Sequence, residues 1–178
     1  MAILILYDTV EGHTEKIARF IADLVEQRGF EVSLSAAGQL GYCDPGTFDA
    51  AILCAPIHGG NYPDAFVEYV KSWNEALDSV PNALVTVSLG IASKFPDEVA
   101  EARGFPNTLT GETGWEPANL HNTAGALKYV EYDFFRRWIM RRIAEHEGGP
   151  TDVSRDHELT DWKALETFIT GFLSSLKV

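Results

Sequence analysis

Three short stretches of this chain carry residue types that suit a flat, phosphorylated ligand. The first, Asp8-Thr9-Val10-Glu11-Gly12-His13-Thr14, follows an apolar run and precedes an amphipathic one. Its Thr-x-x-Gly-x-Thr spacing offers two hydroxyls and several backbone N–H groups to one phosphate monoester. At such a strand-to-helix turn the first amides have no helical carbonyl to bond, and the helix dipole adds positive potential. The loop lacks the Gly-Lys-Ser/Thr ending of a triphosphate loop and has a single glycine where a dinucleotide fingerprint needs more. Taken alone, the same residues also suit a plain tight turn with Thr14 as the helix cap.

The second stretch is Pro56-Ile57-His58-Gly59-Gly60-Asn61-Tyr62-Pro63. Its paired glycines allow close backbone approach to a flat ligand, and Tyr62 is of a type that stacks on one. His13 and His58 are acid–base candidates by type, although lone loop histidines are commonly solvated turn residues. No side chain is assigned a catalytic role. The third stretch, Ser88-Leu89-Gly90-Ile91-Ala92-Ser93, leaves an apolar run where a ring would lie. One loop for a phosphate and two for a ring amount to a site for flavin mononucleotide (FMN).

The elements that position these loops follow from hydrophobic pattern and breakers. Continuous apolar runs at residues 2–7, 50–55 and 83–89 predict strands covered on both faces, with an edge strand at 31–35 and a weaker fifth at 120–127. Residues 14–28 form a helix with Ile17, Phe20, Ile21, Leu24 and Val25 on one face and Gly29 beyond its end. Residues 64–77 form a second, with Phe66, Val67, Val70, Trp73 and Leu77 inward. The Gly-, Pro- and Thr-rich stretch 90–117 is expected to be irregular, with a helical piece at 97–102. Trp162, Leu165, Ile169, Phe172 and Leu176 make a last helical stripe behind a Thr160 cap.

Strand–helix alternation with buried strands predicts an α/β doubly wound, five-stranded parallel sheet in a three-layer sandwich, spanning residues 1–178 as one domain. The expected strand order is 2-1-3-4-5. A ligand then sits beyond the carboxyl ends of strands one, three and four, where all three loops emerge.

Composition removes other classes. At 178 residues and 46% hydrophobic, the chain can bury a substantial core. Its net charge of −12 argues against general nucleic-acid binding, which needs basic surface. Cys43 and Cys54 have no CxxC spacing or flanking histidine pair, so no metal site is expected. No apolar run approaches the ~18 residues that span a bilayer, and no basic leader opens the chain, so a cytoplasmic location is expected. One window runs against the acidic balance: Lys128, Arg136, Arg137, Arg141 and Arg142 face only Glu131 and Asp133, five minus two giving +3. Around these arginines Tyr132, Phe135, Trp138, Ile139 and Ile143 repeat at helical spacing.

The loop Thr9 to Thr14 after the first strand resembles that of the flavodoxin family. Gly125-Ala126-Leu127-Lys128-Tyr129, the basic aromatic helix and the Gly-Gly-x-Thr-Asp turn ending at Asp152 resemble more closely the flavodoxin-like, quinone-dependent protoporphyrinogen oxidases of bacteria. The resemblance runs nearly end to end. It implies that Thr9, Val10, Glu11, Gly12, His13 and Thr14 hold the FMN phosphate. Pro56, Ile57, His58, Gly59 and Gly60 would then adjoin the ring with Ser88, Leu89, Gly90 and Ile91. It further implies dehydrogenation of protoporphyrinogen IX with a quinone as acceptor. Arg136, Arg137, Trp138, Arg141 and Arg142 become candidates for meeting anionic substrate or, as a peripheral contact, an anionic membrane. A flavodoxin-type electron carrier and an FMN-dependent NAD(P)H:quinone reductase are the alternatives the same fold allows. Two residues depart from the flavodoxin pattern, Asp8 and Glu11. A carboxylate ~6 Å from a phosphate costs roughly 3 kcal/mol per charge pair at an effective dielectric near 20. Both are therefore expected to point away, toward backbone amides or Lys16.

Overall fold

Alternation along strands buried on both faces builds the core of the computed structural model, which describes residues 1–39, 43–127 and 157–176. Strands β1 (Ala2–Tyr7) and β3 (Ala50–Pro56) lie at the centre. Ile3 and Ile5 enter one apolar cluster, Leu4 and Leu6 the opposite one. β1 pairs in parallel with β2 (Glu31–Ala36) and β3, β3 with β4 (Asn82–Val87), and β4 with β5 (Leu120–Thr123). The order is β2-β1-β3-β4-β5, as the sequence predicts. Register places Leu84 of β4 between Leu53 and Leu120.

Helix α1 (His13–Gln27) and helix α5 (Trp162–Ser175) cover one face, packing Ile17, Ile21, Val25, Leu165, Ile169 and Phe172 onto Ile3, Ile5, Ile52 and Val85. Helices α2 (Asp64–Ser72), α3 (Asn74–Asp78) and α4 (Pro96–Thr113) cover the other with Phe66, Val70, Leu77 and Leu109, beside fully buried Trp115. Strands β6 (Ala126–Leu127) and β7 (His157–Glu158) form a separate antiparallel pair. Among the described residues no helix is long and apolar enough to cross a membrane.

Several boundaries differ from expectation, each for a physical reason. The helical piece expected at 97–102 is the start of an 18-residue helix, α4, which continues through the stretch expected to be irregular despite Pro106 inside it. Proline removes one intrahelical bond, but Ala102, Pro106, Leu109 and Thr113 repeat at helical spacing and are all buried. The helix expected at 64–77 breaks at Trp73 (φ −121°, ψ 18°). There Asn74 accepts the Glu75 N–H at 2.7 Å and donates to the Thr113 carbonyl at 3.0 Å, a side-chain alternative to helical bonding. The fifth strand stops at Thr123, and residues 126–127 leave to pair with β7. Asp161, not Thr160, caps α5, accepting the Ala164 N–H at 2.9 Å.

Candidate functional site

The turn from β1 into α1 is shaped by Gly12, the N-cap of α1, at φ +86°. This left-handed conformation strains any residue with a Cβ. Gly12 donates its N–H to Thr9 Oγ1 at 2.8 Å, and its carbonyl accepts the Lys16 N–H at 3.2 Å. Thr14 is therefore not the cap; it lies buried in the first turn of α1. Asp8 folds back on its own backbone, accepting the Thr9 N–H at 2.7 Å. Burial pushes its carboxyl above the ordinary value, and the Thr9 bond opposes that rise. Asp8 thus points to an amide, as expected, whereas Glu11 lines the cleft described below. Lys16 pairs with neither acid of the loop; its Nζ lies 2.5 Å from Glu158 Oε2.

After β3 the chain makes a two-residue turn, with His58 N–H donating to the Asn61 carbonyl at 2.9 Å and Asn61 N–H donating back at 3.1 Å. Gly59 and Gly60 supply the two positive φ angles, +57° and +85°, that such a turn demands. Ile57 N–H donates to the Val87 carbonyl at 2.8 Å, fastening this loop to the end of β4. Tyr62 corrects the expectation of a stacking residue. It is buried, its hydroxyl 2.7 Å from Thr86 Oγ1 and its ring stacked on Phe66 at 5.7 Å, outside the cleft.

After β4, Ser88 N–H donates to the Thr123 carbonyl at 2.9 Å, and residues Leu89–Ala92 make a short 3-10 turn seated on α4. The seat is tight. A Cβ built on Gly90 would lie 2.9 Å from the Ala102 Cβ and 3.2 Å from the Glu98 carbonyl oxygen. Ser93 ties turn to helix, donating to Glu98 Oε2 at 2.5 Å and accepting the Phe95 N–H at 3.1 Å.

These loops meet in one cleft of about 560 Å³ beyond the carboxyl ends of β1, β3 and β4. Thr9, Val10, Glu11, His13 and Thr14 line it from the first loop. Pro56, Ile57, His58, Gly59 and Gly60 come from the second, and Ser88, Leu89 and Gly90 from the third. Gly12 and Ile91 are not among the lining residues. Sequence reading missed the wall made by Asp97, Glu98, Glu101, Ala102 and Phe105 of α4. Its sequence signals were the helical piece expected at 97–102 and the narrow stripe from Ala102 to Thr113. Gly125 and Ala126 complete the wall from a segment that the family resemblance had marked. Among the described lining residues there are four carboxylates and no lysine or arginine. Arg136, Arg137, Trp138, Arg141 and Arg142 lie outside the described residues. Among the described residues no cluster of His, Cys, Asp or Glu could hold a metal ion.

The donor set fits FMN. One end offers the first turn of a helix, with hydroxyls at Thr9 and Thr14, to a phosphate. The rest offers glycine turns and the apolar side chains of Ile57, Leu89 and Phe105 to a ring.

Known proteins agree with this architecture. Residues 4–154 match the family model described as "Flavodoxin domain". The chain is 28% identical to the Escherichia coli K12 protein named protoporphyrinogen IX dehydrogenase [quinone] over 168 residues, 94% of this chain and 92% of that one. It is 31% identical to the Leishmania major protein of the same name over 173 residues, 95% of this chain and 73% of that one. A Fusobacterium nucleatum flavodoxin bound to flavin mononucleotide superposes with a TM-score of 0.58 at 14% identity, covering 99% of each chain, a likeness of fold. From the sheet order, the cleft at its switch point and a family match across most of its length, the chain belongs to the flavodoxin domain family.

Proposed function

We propose that this chain is an FMN-dependent oxidoreductase that dehydrogenates protoporphyrinogen IX to protoporphyrin IX and passes the electrons to a quinone. The observation that carries the reading is the meeting of the loops after β1, β3 and β4 in one cleft, on a chain similar nearly end to end to relatives bearing that name. Thr9, Val10, Glu11, Gly12, His13 and Thr14 would hold the phosphate. Pro56, Ile57, His58, Gly59 and Gly60 would flank the ring together with Ser88, Leu89, Gly90 and Ile91. Bound FMN supplies the redox chemistry, while these residues orient it and keep water from its ring. The acidic rim disfavours polyphosphate hydride donors, and the apolar wall suits a macrocycle or a quinone ring. Substrate propionates would find their complement in the basic window at Arg136, Arg137, Arg141 and Arg142.

Holoprotein given anaerobic protoporphyrinogen IX and a quinone should develop porphyrin fluorescence. No signal above the enzyme-free control would overturn the reading. Rapid NAD(P)H oxidation would instead support a nicotinamide-dependent quinone reductase. Converting Arg137 and Arg141 together to Glu should raise the KM for porphyrinogen roughly 30-fold and leave FMN content unchanged, two charge contacts at about 1 kcal/mol each making about 2 kcal/mol. Lost FMN would make those arginines part of the fold instead. The net charge of −12 favours a second reading, an electron carrier that docks on basic redox partners. A one-electron-reduced flavin that persists without turnover would support it.

Asp8 gives a pH-dependent expectation. Its folded-state pKa is raised, so the folded protein holds that proton more tightly than the unfolded chain. The resulting stability is present below the ordinary carboxylate pKa and is lost as pH rises through the folded value. Asp8→Asn keeps an acceptor for the Thr9 N–H and removes the charge. It should flatten the stability profile across the carboxylate range. It should also lower the Kd for FMN about fivefold, the partly exposed charge being screened to roughly 1 kcal/mol. Urea unfolding across the carboxylate pH range tests the first, isothermal titration with FMN tests the second, and weaker FMN binding by the variant would count against the assignment.

A further inference from the structure

The two-residue strands β6 and β7 are too short to be stable as an isolated pair. Among the described residues they are tied to the first turn of α1 and to Trp162. Lys16 Nζ lies 2.5 Å from Glu158 Oε2 and 5.2 Å from the centre of the Trp162 ring. Trp162 Nε1–H donates to the other Glu158 oxygen at 2.6 Å. His13 Nε2 lies 2.8 Å from Thr160 Oγ1, and the Thr160 hydroxyl donates to the Ala124 carbonyl at 2.7 Å. A hydroxyl has one hydrogen, so with it given to Ala124, Thr160 must accept from His13. His13 Nε2 therefore carries a proton. Leu159 N–H closes the pair by donating to the Gly125 carbonyl at 3.0 Å.

The same stem is a wall of the cleft. Gly125 and Ala126 line it, and a Cβ on Gly125 would lie 3.1 Å from Val87 Cγ1 and 3.8 Å from His13 Cδ2. His13 thus stands at the junction of three things: the loop assigned to the phosphate, the cleft, and the stem. We propose that His13 and Lys16, with Thr160 and Glu158 opposite them, are positioning residues that couple cofactor binding to docking of the β6–β7 stem. The proposal rests on the FMN assignment above. An occupant that orders the first turn of α1 fixes both anchor points, and by linkage a docked stem must favour that occupant to the same degree. A single exposed ion pair contributes little. Here Glu158 is shared by two donors, and a second, partly buried hydrogen bond acts in parallel, so the anchors work as a unit.

Hydrogen exchange on the full chain, with and without FMN, tests this. FMN should slow amide exchange about tenfold at residues 124–127 and 157–160 as well as at residues 9–14. In a variant carrying Thr160→Val and Glu158→Gln, FMN should still protect residues 9–14, but protection of the stem should vanish. Its FMN Kd should rise about fivefold to tenfold, the reciprocal of the lost coupling. Thr160→Ser, which keeps the hydroxyl, should behave as the parent. If the double variant does not fold, Thr160→Val alone gives the same comparison. A stem equally protected in apo and loaded protein, or a variant with parental Kd, overturns the proposal. A protein that takes up no flavin absorbance overturns the cofactor assignment itself, an outcome distinct from bound flavin beside an uncoupled stem.

Discussion

Gly90→Val should leave a folded but colourless protein. The position has an ordinary negative φ, so the cost comes from space rather than from backbone strain. The new Cβ would meet the Ala102 Cβ at 2.9 Å and the Glu98 carbonyl at 3.2 Å. Neither neighbour can rotate away, because one is a methyl fixed to a buried helix residue and the other is backbone. The 3-10 turn at Leu89–Ala92 must then lift off α4, stretching the Ser93–Glu98 contact that ties it down. Overpacking of this kind costs roughly 1–3 kcal/mol, and the branched valine falls at the upper end. Because the displaced turn is the ring side of the cleft, that cost appears in binding. The FMN Kd should rise on the order of 100-fold, each 1.4 kcal/mol being a factor of ten. Flavin titration measures the affinity, and the apoprotein should stay folded with its Tm lowered by several degrees, about 2–4 °C per kcal/mol of the overpacking cost. An affinity within about twofold of the parent would show that the turn does not need its seat on α4.

Asn82→Leu should strongly destabilise the sheet although it puts an apolar residue into a buried strand position. Asparagine is a poor strand residue by type, yet Asn82 opens β4 almost fully buried. Its Nδ2 donates to the Leu77 carbonyl at 2.9 Å and the Val80 carbonyl at 3.1 Å, and its Oδ1 accepts the Ala118 N–H at 2.8 Å. Its own carbonyl accepts from Asn119 Nδ2 at 2.9 Å. One side chain thus joins the end of α3, the start of β4 and the approach to β5. Leucine matches its volume but strands three backbone groups, each costing about 1–3 kcal/mol when buried without a partner. Partial hydration at the two half-buried ones reduces the total to about 3–5 kcal/mol. For a chain of this size that is a fall of roughly 10 °C in Tm, measurable by calorimetry or urea midpoint. A fall below about 3 °C would mean that water replaces the lost bonds.

The sheet was legible in the sequence because β1, β3 and β4 are buried along nearly their whole length, which forces continuous apolar runs. The three loops were legible because a strand-to-helix turn must be punctuated by Gly, Thr, Ser or Pro. Of helix α4 only the piece at 97–102 was legible. Gly104, Pro106 and Gly111 lower its intrinsic helicity, and it is held by packing on α2 and on the 88–92 turn, neither of which is visible along its own sequence. Tyr62 and Thr160 were misread for a related reason. Aromatic beside glycines reads as a ligand stacker, and Thr before an apolar stripe reads as a cap. Their actual partners, Thr86 for one and His13 and Ala124 for the other, come from distant parts of the chain.

By itself, then, the sequence determined the layers, the strand order and the end of the sheet at which a ligand sits, because burial and alternation are local patterns with few topological solutions. It also named most of the residues that line the cleft, since the chain leaves the sheet through them. Only the tertiary structure decided that α4 supplies an acidic and apolar wall, that Asp8 bonds its own backbone while Glu11 faces the cleft, and that Lys16 belongs to Glu158. Those outcomes depend on which groups from remote segments arrive within hydrogen-bonding reach. A pattern read along one segment carries no term for that.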